Sequence, residues 1–408
     1  MAARAILDAG AACRVAAVSL LAQHKDFRRL FVGNSVSLLG SSVTTVALPL
    51  AAVVCLHATP IEMGLLGAAA FLPHLVLGLP AGVWVDRLPY KRILVLADLG
   101  QLLLIGSVPV AAALGTLTLA QLYVVVTLAG VCGLFDAVAA QSFTPMLVPR
   151  EQLLPANSAL MLTSSTVNVA GSALGSGLVV LLTAPVAMAA DAVSFLVAAL
   201  CKARITVPGV GNSVRGKADL FGGLRIAFTH PVLRPVTIAA TLGALGGQMQ
   251  NAVLVLYLVR VLGFSPGLVG IAVTMAGVAG ILGALITPTV TRRLGPGWTF
   301  VLGMLLSSAA GLLLAAGPAL LSQLLRGAGP ALYGVNQQTF RQTLVPQEQL
   351  SRVNAGWRFL VYGTQPVGAV LGGLLGAVDL RTTLVVSAVI MLTGTVLALP
   401  VTSARNRA

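Results

Sequence analysis

The sequence predicts an all-α membrane protein of twelve transmembrane helices, arranged as two pseudo-symmetric six-helix halves. An apolar composition, apolar runs of spanning length and an internal repeat carry that prediction. Of the 408 residues, 57% are hydrophobic and only 9% are charged, with a mean hydropathy of +0.96. A soluble domain carries roughly 25% charged residues, so this chain cannot clothe a water-facing surface. Apolar runs recur from Leu30 to Val401, each long enough to cross a hydrocarbon core of ~30 Å as helix. The short polar–apolar alternation of a membrane barrel strand does not occur.

The runs place spans at 30–55, 62–85, 93–114, 119–143, 155–182 and 185–201, then at 236–259, 267–290, 297–316, 319–340, 351–376 and 382–401. The domains follow: a tail over 1–29, a six-helix bundle over 30–201, a central loop over 202–233, a second bundle over 234–401 and a tail over 402–408. Within the loop, Leu220, Phe221, Leu224 and Phe228 recur at helical spacing, as in a helix lying along the membrane interface.

The two bundles repeat each other. Val148-Pro149-Arg150-Glu151-Gln152-Leu153, with Asn157 beyond it, returns 197 residues later as Val345-Pro346-Gln347-Glu348-Gln349-Leu350 with Asn354. Gln141, Phe143, Gly171 and Gly175 match Gln338, Phe340, Gly368 and Gly372 at the same offset. Earlier in each half the offset is 206, pairing Pro60 with Pro266 and Gly64 with Gly270. Helices 4 and 5 thus correspond to 10 and 11 in the same chain direction, which excludes an inverted repeat.

The net charge of +14 reports topology and not nucleic acid. Arg4, Arg14, Lys25, Arg28 and Arg29 precede helix 1; Arg87, Lys91 and Arg92 follow helix 2. Lys202, Arg204, Arg215, Lys217, Arg225 and Arg234 fill the central loop, whereas Arg260 and Arg381 alone fall on the other side. The positive-inside rule then puts both termini in the cytoplasm of a bacterial inner membrane. Interrupted by Arg14, the mildly apolar start reads as an uncleaved tail. The four cysteines form no metal-ligating pattern and read as small apolar residues.

After helix 2 stands Gly82-Val83-Trp84-Val85-Asp86-Arg87-Leu88-Pro89-Tyr90-Lys91-Arg92. Gly82 permits close helix approach, Asp86 suits a helix N-terminus, and Lys91 and Arg92 face the start of helix 3. A topogenic basic turn alone would ask for the cations but not for Gly82 or Asp86. The segment resembles the loop 2–3 signature of the major facilitator superfamily, with Pro89 in place of its second glycine. That resemblance implies the major facilitator fold, with Gly82, Asp86, Arg87, Lys91 and Arg92 latching the halves. Helix 5 carries Gly171-Ser172-Ala173-Leu174-Gly175-Ser176, which looks like a degraded antiporter motif of the family; close packing by small residues explains it equally. Further phrases, such as Asp191-Ala192-Val193-Ser194-Phe195 and His230-Pro231-Val232-Leu233-Arg234, resemble the drug:proton antiporter branch that holds macrolide-efflux proteins and the enterobactin exporter. The branch implies proton-coupled efflux of amphipathic molecules.

An ionisable group within a span costs at least ~2.5–3.5 kcal/mol, so each is a functional candidate. Asp98, Asp136, Asp191, Arg326 and Arg358 qualify. The 197-residue offset matches Arg326 to Ala129, and Asp136 lies two helical turns beyond Ala129 on nearly the same face, ~10 Å nearer the cytoplasm. Asp136 is thereby a proton-binding candidate and Arg326 a substrate-contacting or charge-balancing group; a carboxylate in a low dielectric suits proton loading near neutral pH. Alternatively, Asp98 and Asp136 are ionised partners of Lys91 and Arg92. Asp191 is a further carboxylate of either role, and Arg358 is close enough to the cytoplasmic end to snorkel. Asn34, Gln248, Gln250, Asn251, Gln323, Asn336, Gln337 and Trp357 are candidates to line the pathway.

The expected function is export of an amphipathic small molecule by a monomer in the lipid bilayer, with protons as the coupling ion. No cofactor, metal or nucleic acid is expected. The alternatives are a siderophore exporter, an uptake permease, or a non-transporting sensor or assembly protein on the same scaffold. An enzyme is disfavoured: His24, His57, His74 and His230 lie far apart, and no phosphate-binding glycine loop is present.

Overall fold

The computed structural model describes residues 20–85, 87–149, 152–206 and 220–406. Among them are twelve long helices and no strand: α1 (Lys25–Leu50), α2 (Pro60–Val85), α3 (Tyr90–Ala113), α4 (Leu119–Leu147), α5 (Leu153–Leu181), α6 (Ala184–Ala203), α7 (Leu233–Leu256), α8 (Pro266–Leu294), α9 (Pro296–Ala316), α10 (Ala319–Leu344), α11 (Gln347–Val378) and α12 (Leu380–Ala398). Ten apolar spans of crossing length are found among the described residues. α5 and α10 fall outside that set, yet at 29 and 26 residues both are long enough to span. Helices are the only open-ended way to satisfy every backbone group in hydrocarbon, which is why so apolar a chain folds this way.

The sequence repeat is written into the backbone. α1 ends in a π turn, Ala51–Cys55, and α7 in another, Tyr257–Val261, displaced by the same 206 residues. The hydrogen bonds agree: Leu56 N–H donates to Ala51 C=O at 3.3 Å as Leu262 N–H does to Tyr257 C=O at 3.1 Å. His57 (φ 53°) and Gly263 (φ 66°) then hold the same left-handed turn, a position that costs a histidine more than a glycine. Pro60 and Pro266 open the next helix in each half, where a missing N–H costs nothing.

Two compact units result. One holds Met1–Leu48, Leu77–Leu117 and Leu128–Arg215; the other holds Pro49–Val76, Thr118–Thr127 and Gly216–Ala408. Their apolar cores use equivalent residues. Phe27, Leu30, Leu94, Phe143, Val148 and Ala156 are buried together in the first, and Leu233, Val236, Phe300, Phe340, Val345 and Val353 in the second. Each pair is related by the 206 or the 197 offset.

In the first unit α3 packs on α6, and Gly171 and Gly175 of α5 lie against Ser42 and Val43 of α1. In the second unit, Gly368 and Gly372 of α11 lie against Leu245 and Met249 of α7. A Cβ at Gly175 would stand 2.8 Å from Val43 Cα, and one at Gly372 2.6 Å from Met249 C=O. The glycine motif of helices 5 and 11 therefore performs close packing. The linker helix, Leu220–Thr229, sets Leu224 against Gly356 of α11, so its apolar side meets protein as well as any interface.

Candidate functional site

Lys202 defines the first site. Sequence reasoning assigned it to the cytoplasmic loop; instead it occupies the last turn of α6 with 0% exposure. Its ammonium lies 3.0 Å from Asp98 Oδ2 of α3 and 2.7 Å from Asp136 Oδ1 of α4. The physical reason is the buried stripe of α6: Asp191, Phe195, Ala198 and Lys202 recur at four-, three- and four-residue steps, one face of a helix. That spacing was the signal available in the sequence. It also corrects the alternative pairing of the aspartates with Lys91 and Arg92. Lys91 Nζ donates to Ile205 C=O at 2.6 Å, pinning the chain just past α6, and Arg92 is exposed.

A cavity of about 300 Å³ opens beside the triad, with Asn34, Ser41, Gln101, Asp136, Thr163 and Ser164 in its wall. Asp136 is one-fifth exposed, whereas Asp98 is 1% exposed. Asp136 is thus the carboxylate that faces open space, with Asp98 behind it. One ammonium and two carboxylates leave the group one charge negative, and a single proton brings it to neutrality.

Asp191 sits apart, 1% exposed. Thr44 Oγ1 donates to it at 2.5 Å and Ser194 Oγ at 3.2 Å. Hydroxyls, and no cation in any ion pair among the described residues, hold this carboxylate.

The second unit holds a larger cavity of about 380 Å³. Of the residues singled out from sequence, Arg326, Gln248 and Asn251 line it together with Gln337 and Trp357. Arg326 Nη2 donates to Asn251 Oδ1, and Asn251 Nδ2 donates to Gln248 Oε1 at 3.1 Å. Arg326 Nη1 is buried without a partner, as is Trp357 Nε1. Behind Trp357, the Arg341 guanidinium stacks on the indole at 3.9 Å. Gln250, Phe71, Tyr333 and Gln365 also line it; the two rings gave no sequence signal, since an aromatic side chain within a helix does not reveal which face it occupies.

Three candidates fall elsewhere. Asn34 belongs to the first cavity. Asn336 bonds Thr291 of α8 and Leu332 C=O, a helix-packing role. Gln323 is 1% exposed and lines neither cavity. Arg358 is exposed, about three turns into α11 and so further from the helix end than the sequence placed it. Of the signature segment, Asp86 lies outside the described residues; Arg87 is exposed in the turn and its N–H donates to Trp84 C=O at 3.1 Å.

Comparison with known proteins follows the same lines. The sequence profile of the Major Facilitator Superfamily matches residues 30–249 and 236–408. The chain is 27% identical over 376 residues to the enterobactin exporter EntS of Salmonella typhimurium, covering 88% of each chain. It is 26% identical to EntS of Escherichia coli O1:K1, covering 88% of this chain and 87% of that one. Among solved structures, the nucleoside transporter NupG superposes with a TM-score of 0.74 at 13% identity, over 93% of this chain and 99% of that one. A bacterial homologue of the iron transporter ferroportin, in its inward-facing state, gives 0.72 at 17% identity over 93% and 99%. These structural likenesses speak to fold alone.

Proposed function

The chain belongs to the Major Facilitator Superfamily, and from that premise we propose that it exports an amphipathic small molecule across the bacterial inner membrane in exchange for protons. Alternating access supplies the transport cycle, as in other transporters built from repeated six-helix halves. Both termini lie in the cytoplasm in this reading, and the protein works as a monomer with no cofactor beyond the proton gradient.

The observation that carries the coupling is the buried Asp98–Lys202–Asp136 group beside an open cavity. Asp136, the exposed member, exchanges the proton; Lys202 holds the remaining charge in balance, since an unpaired carboxylate in the membrane is costly. The relatives named as enterobactin exporters cover 88% of the chain and favour a siderophore-like cargo over a macrolide-like drug. Export is favoured over uptake by the same relatives.

The test is reconstitution into liposomes with an imposed pH gradient. Uphill movement of a fluorescent amphiphile is compared with energy-independent counterflow. Asp136→Asn is expected to abolish uphill movement and to retain counterflow. Uphill movement at the parent rate in both Asp136→Asn and Asp98→Asn refutes the coupling. Absence of any counterflow in the parent refutes transport and favours a sensor or assembly role.

A further inference from the structure

We infer that the cavity of the second unit binds an organic anion carried on a planar aromatic frame, and rejects cationic amphiphiles. This rests on the transporter reading above and narrows it to a substrate class.

The argument begins with an absence of acid. From Leu220 to Gln347 the sequence contains no aspartate or glutamate, and beyond that only Glu348 and Asp379, at the two ends of α11. α7 to α10 therefore have no carboxylate to offer Arg326, which lies about two turns into α10. A guanidinium in a membrane span is retained at a cost of several kcal/mol unless something neutralises it. Among the described residues it enters no ion pair. Its one hydrogen bond among the described residues goes to a neutral amide, Asn251, and Nη1 is buried with none of them to donate to.

The rest of the wall agrees with that charge. Trp357 Nε1 is a second buried donor without an acceptor. Arg341, itself 8% exposed with Nε and Nη1 unpartnered, backs the indole face with another cation. The Arg326 guanidinium and the Trp357 N–H, both short of acceptors in the wall, with the Arg341 guanidinium against the indole, are complementary to an oxyanion. Trp357, Tyr333 and Phe71 offer rings for stacking. A cationic drug entering here would meet like charge and no acid. The acids deep within spans, Asp98, Asp136 and Asp191, belong to the first unit. Glu62 of the second unit sits in the first turn of α2, accepts from the Thr59 N–H and hydroxyl, and is not in the cavity wall, so protons and substrate anion are handled by different units.

The test measures equilibrium binding to purified protein without any pH gradient. The probes share one aryl amide: N-(2-naphthoyl)glycine as the anion, its carboxamide as the neutral form, and a trimethylammonium analogue as the cation. The anion is expected to bind at least about tenfold more tightly than either, the worth of one charged hydrogen bond, and to raise the melting temperature of the parent protein. Inorganic phosphate, a charge without the ring, is expected to compete weakly. Arg326→Gln should lower anion binding to the level of the carboxamide, while Arg381→Gln, an exposed guanidinium at the start of α12, should preserve the preference. The proposal is overturned if the parent does not distinguish the three probes, if the cation binds best, if phosphate competes as well as the aryl anion, or if Arg326→Gln keeps the preference. Loss of uphill transport with the anion preference intact would instead count against the coupled-export reading alone.

Discussion

Lys202 Nζ stands 2.7 Å from Asp136 Oδ1 although the lysine sits one residue from the end of α6 and is 0% exposed. Removing one partner of a buried charge group leaves the others uncompensated, at about 3–5 kcal/mol. Lys202→Met should therefore lower the melting temperature in detergent by several degrees. The triple variant Lys202→Met, Asp98→Asn, Asp136→Asn should recover most of that loss while remaining inactive in uphill transport. Equal melting of Lys202→Met and the parent would show that the ammonium is not neutralising the aspartates.

The bundle, its duplication and the charged positions inside it were legible because each contrasts with its surroundings: apolar runs against short polar turns, Arg326 against α10. α10, placed at 319–340 among the apolar runs, is a long helix although it is too polar to count among the ten apolar spans. Lys202 was misplaced because the positive-inside rule makes any lysine near a helix end look cytoplasmic; only its four-three-four spacing from Asp191 through Phe195 and Ala198 betrayed burial. Phe71 could not be found at all. An aromatic residue in an apolar helix gives no contrast, and its place in the second cavity is set by tertiary packing. For the same reason Asn336 looked like a pathway residue, and proves to tie α10 to α8 through Thr291.

Gly64 of α2 and Gly373 of α11 meet backbone to backbone within the second unit. A Cβ at Gly373 would lie 2.7 Å from Pro60 C=O and 2.9 Å from Gly64 Cα. Gly373→Val should cost about 1–3 kcal/mol by overpacking. Gly177→Val is the control, because nothing stands within 4 Å of a Cβ there, and surface changes of that kind usually stay within about 0.5 kcal/mol. Thermal melting of the two variants side by side checks the contrast; equal stability would mean the α2–α11 approach is looser than described.

Asp379 caps α12 from outside the membrane-spanning segments. Its Oδ2 accepts from the Thr382 N–H and hydroxyl, each at 2.8 Å. These bonds to the ionised form hold the carboxyl below its usual range. A lowered folded-state value means the cap is fully present above the unfolded-state value of about 3.9 and is lost as pH falls through the folded-state value. At neutral pH, Asp379→Ala should speed hydrogen exchange at the Thr382 and Thr383 amides, while Asp379→Asn, still a good cap, should not. As the pH falls through the lowered folded-state value, the parent and the alanine variant should converge once intrinsic rates are subtracted. An alanine variant with parental protection at neutral pH would remove the cap from the account.

Arg326 makes the sharpest stability prediction, because its sign is opposite to most core substitutions. A half-buried cation without an acid is a liability to the empty protein, and its partner Asn251 already bonds another amide, Gln248. Arg326→Met keeps much of the side-chain length and removes the charge. It should melt higher than the parent by a few degrees when no anion is present. Adding N-(2-naphthoyl)glycine should close the gap by stabilising the parent alone, since a ligand stabilises only the folded state that binds it. Loss of function with gain of stability is the pattern expected where a site is strained for its ligand. A variant that melts well below the parent would mean that Arg326 is already neutralised within the bundle, and that it serves the fold instead of the cargo.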